Sequence, residues 1–235
     1  MKRMLGIVGG VAAESTIDYY RMLMAMYQDR AGTAPPLLIY SVDLETSVRL
    51  VSAGALRKLA DYFIAAIEVL ARGGADCALI ASNTPHVAFD EIRRGSPLPL
   101  ISIVEMARNR ARAMNLQRLG LIGTGFTMAA KFYPETFAAA GMSVVVPDER
   151  DRAYIHDKYM GELVNGVFRD ETLHELSAII GRLIADHSID GLILGGTELP
   201  LILRRAPQPV PFLDTARIHV EAAVDELLRA PAVTA

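Results

Sequence analysis

Short apolar runs alternate along this chain with longer stretches of helical periodicity. "MLGIVGG" at 4–10 reads as a strand and 15–30 as a helix. "PLLIYSVD" then precedes a second helix over about 53–72. "ADCALIAS", the helix-like "PHVAFDEIRR" and the strand-like "LPLISI" follow. The pattern restarts at "RLGLIGT", with a helical stretch at 129–140, "MSVVVPD", a long helix at 151–167 and another at 172–187. "DGLILGG", a short segment at 199–204, "VPFLD" and a final helix near 215–229 complete it. Continuous apolar strands that alternate with helices predict an α/β fold, with parallel sheets covered by helices on both faces. Within 172–187, Leu176, Ile179, Ile180, Leu183 and Ile184 recur at three- and four-residue spacing, so that face is expected to be buried.

The two halves echo each other. "LGIVGG" at Leu5 resembles "LGLIGT" at Leu119, and "GGADCALIASNTPH" resembles "HSIDGLILGGTELP". Leu5 and Leu119 lie 114 residues apart, as do Ser82 and Gly196. A repeat this long is not a solenoid unit; two similar lobes related by a pseudo-twofold axis are the natural reading. The expected division is 1–105 plus 210–235, an N-terminal lobe with a returning C-terminal helix, and 106–209 as the second lobe. Open α/β sheets bind ligands at the carboxyl ends of their strands. Facing lobes would therefore bring Ser82 and Gly196 to opposite walls of one cleft.

Composition narrows the function. The 235 residues are 51% hydrophobic with a formal charge of −3, enough for a sizeable core and no electrostatic reason to expect nucleic acid or a membrane surface. No run approaches the roughly 20 apolar residues of a membrane span, and the N-terminus reads as a first strand, not a signal peptide. A cytoplasmic protein is the default. The one cysteine, Cys77, excludes an internal disulfide and a cysteine metal cluster. It lies inside a strand and is read as a buried structural residue.

Clusters at the strand ends carry the candidate chemistry. In "GGVAAESTIDYY", the glycines permit a tight turn, Ser15 or Thr16 can cap the helix and Glu14 sits by its first turn. No dinucleotide-binding G-x-G-x-x-G is present. "IGTGFT", with Thr124, is a weak anion-nest candidate. Asn83, Thr84 and Thr197 can donate hydrogen bonds to a carboxylate. Glu198 and His86 can orient neighbours, or belong simply to the first turns of short helices.

These stretches carry a resemblance. "GIVGGVAAESTIDYYR", "SVD" at Ser41, "SNTPH", "LGLIGT", "KFY" at Lys131, "GGTELPLIL" and "FLDTARIH" together resemble the aspartate/glutamate racemase superfamily over almost the whole length. The resemblance implies two α/β lobes with the active site between them, no pyridoxal phosphate, no metal, a small carboxylate or amino acid as ligand, and a homodimer. In many members two cysteines, one per lobe, remove and return the α-proton from opposite faces. The positions matching those cysteines are Ser82 and Gly196, so a two-cysteine mechanism is excluded by composition. The substrate-binding set implied is Glu14, Ser15, Thr16, Asp43, Glu45, Asn83, Thr84, Thr124, Tyr154, Thr197 and Glu198. Where relatives use basic residues for a distal carboxylate, this chain has Glu45 in a loop, with Arg49 further on. Tyr154 falls at the lysine position, near Arg152 and Lys158. A dicarboxylic substrate is thereby disfavoured, and Glu45 can face a cationic or neutral end.

Three functions follow as expectations. One is a racemase-like isomerase acting at the Cα of a small amino acid or related carboxylate. Another is a lyase, decarboxylase or hydrolase, with Gly196 opening room for a larger substrate. The third is a carboxylate-binding protein without turnover.

Overall fold

The computed structural model describes residues 3–229, so the ends of the expected division, 1–2 and 230–235, lie outside the described residues. The first half runs β1 (Leu5–Gly9), α1 (Ala13–Ala31), β2 (Leu37–Ser41), α2 (Leu44–Ser52), α3 (Leu56–Arg72) and β3 (Cys77–Ile80). A 3-10 turn (Thr84–Ala88), α4 (Phe89–Gly95), β4 (Leu100–Ile101) and α5 (Ile103–Ala113) follow. The second half runs β5 (Arg118–Gly123), α6 (Gly125–Ala129), α7 (Phe132–Ala138), β6 (Ser143–Val145), α8 (Glu149–Gly161) and a 3-10 turn (Leu163–Asn165). It ends with α9 (Asp170–His187), β7 (Gly191–Gly195), α10 (Leu199–Leu203), β8 (Phe212–Asp214) and α11 (Thr215–Leu228).

Each half is a four-stranded parallel sheet, ordered β2-β1-β3-β4 and β6-β5-β7-β8. The register repeats with the sequence: Leu5 pairs with Cys77 in one sheet and Leu119 with Gly191 in the other, both partners again 114 residues apart. The strands β1, β3 and β7 are buried at every position, the reason they read as uninterrupted apolar runs. Leu176, Ile179, Ile180 and Leu183 are buried on α9 as their spacing predicts, with Ile184 half-buried at the margin.

The lobes exchange their last helices. Ile103, Val104, Ala107 and Ala111 of α5 pack with Leu119, Leu121 and Tyr133 of the second lobe. Ala216, Val220, Ala223 and Val224 of α11 pack with Leu5, Ile7 and Tyr19 of the first. The segment from 210 onward therefore divides: β8 pairs with β7 in the second sheet, and α11 returns to α1. Cys77 sits in this same core, 1% exposed, and burial pushes its thiol up to about 11.

Two helices depart from the sequence expectation. The stretch around Glu45, expected as a loop, is α2, because Asp43 caps it by accepting the Thr46 N–H at 2.7 Å. Likewise α5 was not anticipated; Ser102 accepts the Glu105 N–H and starts it. The expected 129–140 helix is two, α6 and α7. Capping of α1 by Ser15 or Thr16 does not occur: its N-cap is Ala12. Thr16 Oγ1 instead accepts the Gly10 N–H at 2.9 Å and donates to the Ala12 carbonyl at 3.1 Å. Thr16 thus braces the turn after β1, where Gly10 holds φ +84° and a Cβ would collide with the Val42 backbone.

Candidate functional site

Both chains of strands reverse direction of progress at β1/β3 and β5/β7, so the carboxyl ends of these four strands open on the gap between the lobes. A cavity of about 40 Å³ lies there. A water needs roughly 10–15 Å³ measured this way, so the cavity as it stands has room for a few waters. Ser82, Asn83 and Thr84 form its wall from the first lobe, and Thr124, Gly195, Gly196, Thr197 and Glu198 its wall from the second. Ser82 and Gly196 thus share one cavity, as the internal repeat implies.

Of the expected ligand-binding residues, Asn83, Thr84, Thr124, Thr197 and Glu198 line this cavity, while Glu14, Ser15, Thr16, Asp43, Glu45 and Tyr154 lie outside its lining. Ser15 is buried and donates to the Ala81 carbonyl at 3.2 Å, tying α1 to the end of β3. Glu14 is half-buried and packs near Gly166. Asp43 is the exposed cap of α2, Glu45 is exposed in that helix, and Tyr154 packs at the edge of the second lobe's core beneath Lys158. The rest of the cavity wall was not foreseen. It is apolar and contributed by Val11, Leu44, Val48, Val51, Phe126, Met160 and Val164, with the buried Ser47 among them. No arginine, lysine or histidine lines it.

The first wall is held by a network that spans the lobes. Tyr133 O–H donates to Asn83 Oδ1 at 2.6 Å, Asn83 Nδ2 donates to Thr215 Oγ1 at 3.2 Å, and Thr215 donates to the Leu194 carbonyl at 2.7 Å. All the hydrogen-bonding atoms are buried, so the side-chain amide of Asn83 is engaged in fixing the wall. Thr84 Oγ1 is hydrogen-bonded to Thr124 and Thr127 across the gap, at 3.1 and 3.3 Å. Behind this wall, His86 stacks on Phe89, its Nε2 accepts the Ile103 N–H, and its Nδ1 is buried without a hydrogen bond. Burial lowers the imidazole to about 3, so it is neutral and serves as a brace.

The second wall holds the finding least visible in the sequence. The ring of Tyr159, from α8, packs directly on Gly196: a Cβ at 196 would lie 2.7 Å from the tyrosine oxygen and 2.8 Å from Cζ. Gly196 therefore does not open room for a larger substrate, because the tyrosine fills it. Tyr159 O–H donates to Glu198 Oε2, which also accepts from Thr197 Oγ1 at 3.0 Å. Glu198 Oε1 is buried with no hydrogen bond. Burial raises the carboxyl of Glu198 above the usual range, against the hydrogen bonds from Tyr159 and Thr197. Burial likewise lifts the Tyr159 phenol well above its ordinary value, with the charge of Glu198 adding to it. Tyr159 and Glu198 are the titratable side chains in the lining, and the first lobe supplies none. Among the described residues, no three His, Cys, Asp or Glu side chains are grouped as a metal ion requires, and no helix is long and apolar enough to cross a membrane.

Comparison with known proteins gives one consistent result. The model of the Asp/Glu/Hydantoin racemase family matches residues 8–223. A Yersinia pestis structure assigned as an Asp/Glu racemase is 30% identical, with a TM-score of 0.87 over 97% of this chain and 100% of that one. An aspartate racemase homologue from Pyrococcus horikoshii is 29% identical, with a TM-score of 0.82 over 97% and 100%. The broad-specificity amino-acid racemase RacX of Bacillus subtilis is 21% identical over 96% of this chain and 98% of its own length.

Proposed function

The chain belongs to the Asp/Glu/hydantoin racemase family, and from that premise we propose that it is a racemase-like enzyme acting at the Cα of a small amino acid or related carboxylate held between its lobes. The observation that carries this reading is the shared cavity, with Ser82 on one wall and Gly196 on the other, ringed by hydroxyl donors. Thr84 and Thr124, whose hydroxyls are now bonded to one another and to Thr127, would turn to the substrate carboxylate and stabilise charge that develops on it as the α-proton leaves. The apolar remainder of the lining, free of arginine and lysine, favours a substrate whose side chain is small and uncharged over a dicarboxylate. The chemistry asks nothing of pyridoxal phosphate or a metal. A homodimer belongs to the proposal too, and its mass in solution tests it.

The loss of both thiols favours a second reading, a lyase, decarboxylase or hydrolase on the same scaffold, or a protein that binds without turnover. Serine is a weak nucleophile and weak base unless another base activates it, and the ionisable side chains of the lining, Tyr159 and Glu198, belong to the opposite wall. One experiment separates these readings. Amino acids of both configurations are incubated with the protein in D₂O, the α-proton signal is followed by NMR, and products are resolved by chiral chromatography. Exchange with the mirror image as product supports the racemase reading. A different product selects the lyase class. Binding in a calorimeter without exchange or product selects the binding protein.

A further inference from the structure

We propose that Tyr159 and Glu198 form the proton-transfer pair of this site, and that they serve one face of the substrate only, so that exchange of the α-proton outruns inversion of the carbon. This rests on the reading that the cavity acts at a Cα. Tyr159 and Glu198 are the side chains in the lining able to take up or release a proton, and both belong to the second lobe.

The phenol stands in for a side chain at 196. Its oxygen is 2.7 Å from where a Cβ on Gly196 would be, so the wall position left bare by glycine carries a tyrosine hydroxyl from another element. That hydroxyl donates to Glu198 Oε2, which Thr197 also holds. The other carboxylate oxygen is buried without a partner, an arrangement that costs stability unless a proton or ligand reaches it. The charge of Glu14 adds to the reluctance of Glu198 to ionise. A carboxylate with raised proton affinity is a stronger base than an exposed one.

The step balances within the pair. The Cα–H bond breaks and its electrons remain on carbon, delocalised into the substrate carboxylate. The proton bonds to the Tyr159 oxygen while the tyrosine's own proton moves to Glu198, whose negative charge is cancelled. Reversal returns a proton to the same face. On the opposite wall, Ser82 and Thr84 offer hydroxyls, while the Asn83 amide is held by Tyr133 and Thr215 and the basic nitrogen of His86 behind them is taken by the Ile103 N–H. The hydroxyls can stabilise the enediolate but have nothing to protonate it from the far side.

The test uses the unaltered protein first. L- and D-amino acids are presented in D₂O, and the rate of α-deuteration is compared with the rate of loss of configuration. Deuteration is expected to exceed inversion by about tenfold or more, and Tyr159→Phe and Glu198→Gln each to slow it by roughly 10²-fold. Tyr159→Phe is expected to lower the thermal midpoint through the hydrogen bond lost to Glu198, but to bind the same amino acid about as well as the parent, so that the loss falls on the exchange rate and not on occupancy. Deuteration and inversion at equal rates overturn the inference, as does exchange undiminished in Tyr159→Phe. The ratio is read on the parent protein and needs no variant to fold. Absence of exchange with every amino acid overturns the underlying reading as well, which distinguishes the two failures.

Discussion

Replacing Gly196 with alanine tests the packing on which the second wall depends. Gly196 does not adopt a left-handed φ, so an alanine there carries no backbone penalty and any cost comes from contact. Its Cβ would sit 2.7 Å from the Tyr159 oxygen and 2.8 Å from Cζ, below the 3.0 Å that real Cβ atoms respect. The ring is 4% exposed, enclosed in the second lobe's core and tethered to Glu198. It can move only by repacking or by releasing the carboxylate. Overpacking costs about 1–3 kcal/mol, and a buried carboxylate that loses its donor about as much again. A total of about 2–6 kcal/mol is expected, or a fall in melting temperature of roughly 4–24 °C for a chain of this size. Urea and thermal unfolding read this directly. A double-mutant cycle supplies the control: in a Tyr159→Leu background the same Gly196→Ala change should cost under about 0.5 kcal/mol. An equal cost in both backgrounds, or a Gly196→Ala protein as stable as the parent, would refute the packing argument.

Acid should weaken the fold well above the usual carboxylate range. His219 donates from Nε2 to the Ile101 carbonyl at 2.9 Å, so its Nδ1 accepts from Tyr19 O–H at 3.0 Å and the ring is neutral. Burial lowers His219 to about 4 and His86 to about 3. Their contribution is whole above an unfolded value of about 6.5 and is lost as pH falls toward 4, because the unfolded chain takes up protons first. Glu198, raised by burial, acts with the opposite sign and offsets part of this. Urea midpoints should drop by an amount worth a few kcal/mol between about pH 6.5 and 4; a flat profile would contradict the neutral assignments. Asn83→Ala strips partners from Tyr133 and Thr215 at once and should cost about 2–4 kcal/mol in chemical denaturation, against almost nothing if the network is incidental. Cys77 should react with an aromatic disulfide reagent only at the rate of unfolding, and rapid labelling of the native protein would show that β3 is not buried as described.

Much of the architecture is legible in the residues because buried parallel strands leave plain apolar runs, and a repeat at fixed offset carries its own geometry. The 114-residue spacing anticipates both the common strand order and the meeting of Ser82 and Gly196. The helices that were missed had local signals. "SIVE" is a capping box at Ser102, and Asp43 is an ordinary N-cap. A loop reading hid α2, and with it Leu44, Ser47, Val48 and Val51 of the cavity wall. Tyr159 is a different case. Its position on α8 looks like any core aromatic, and its meaning depends on a contact with Gly196 that no periodicity encodes. The empty side chain at 196 and the tyrosine that fills its place are informative only together.

The central claim is that a small amino acid or carboxylate reacts in the cavity between the lobes, and a crystal structure with the amino acid that exchanges its α-proton fastest tests it most directly. The account predicts the ligand between Ser82 and Gly196, its carboxylate on the Thr84 and Thr124 hydroxyls, its Cα against the Tyr159 oxygen and its side chain on the apolar wall. A ligand bound elsewhere, or one whose distal carboxylate is paired with an arginine, would contradict it.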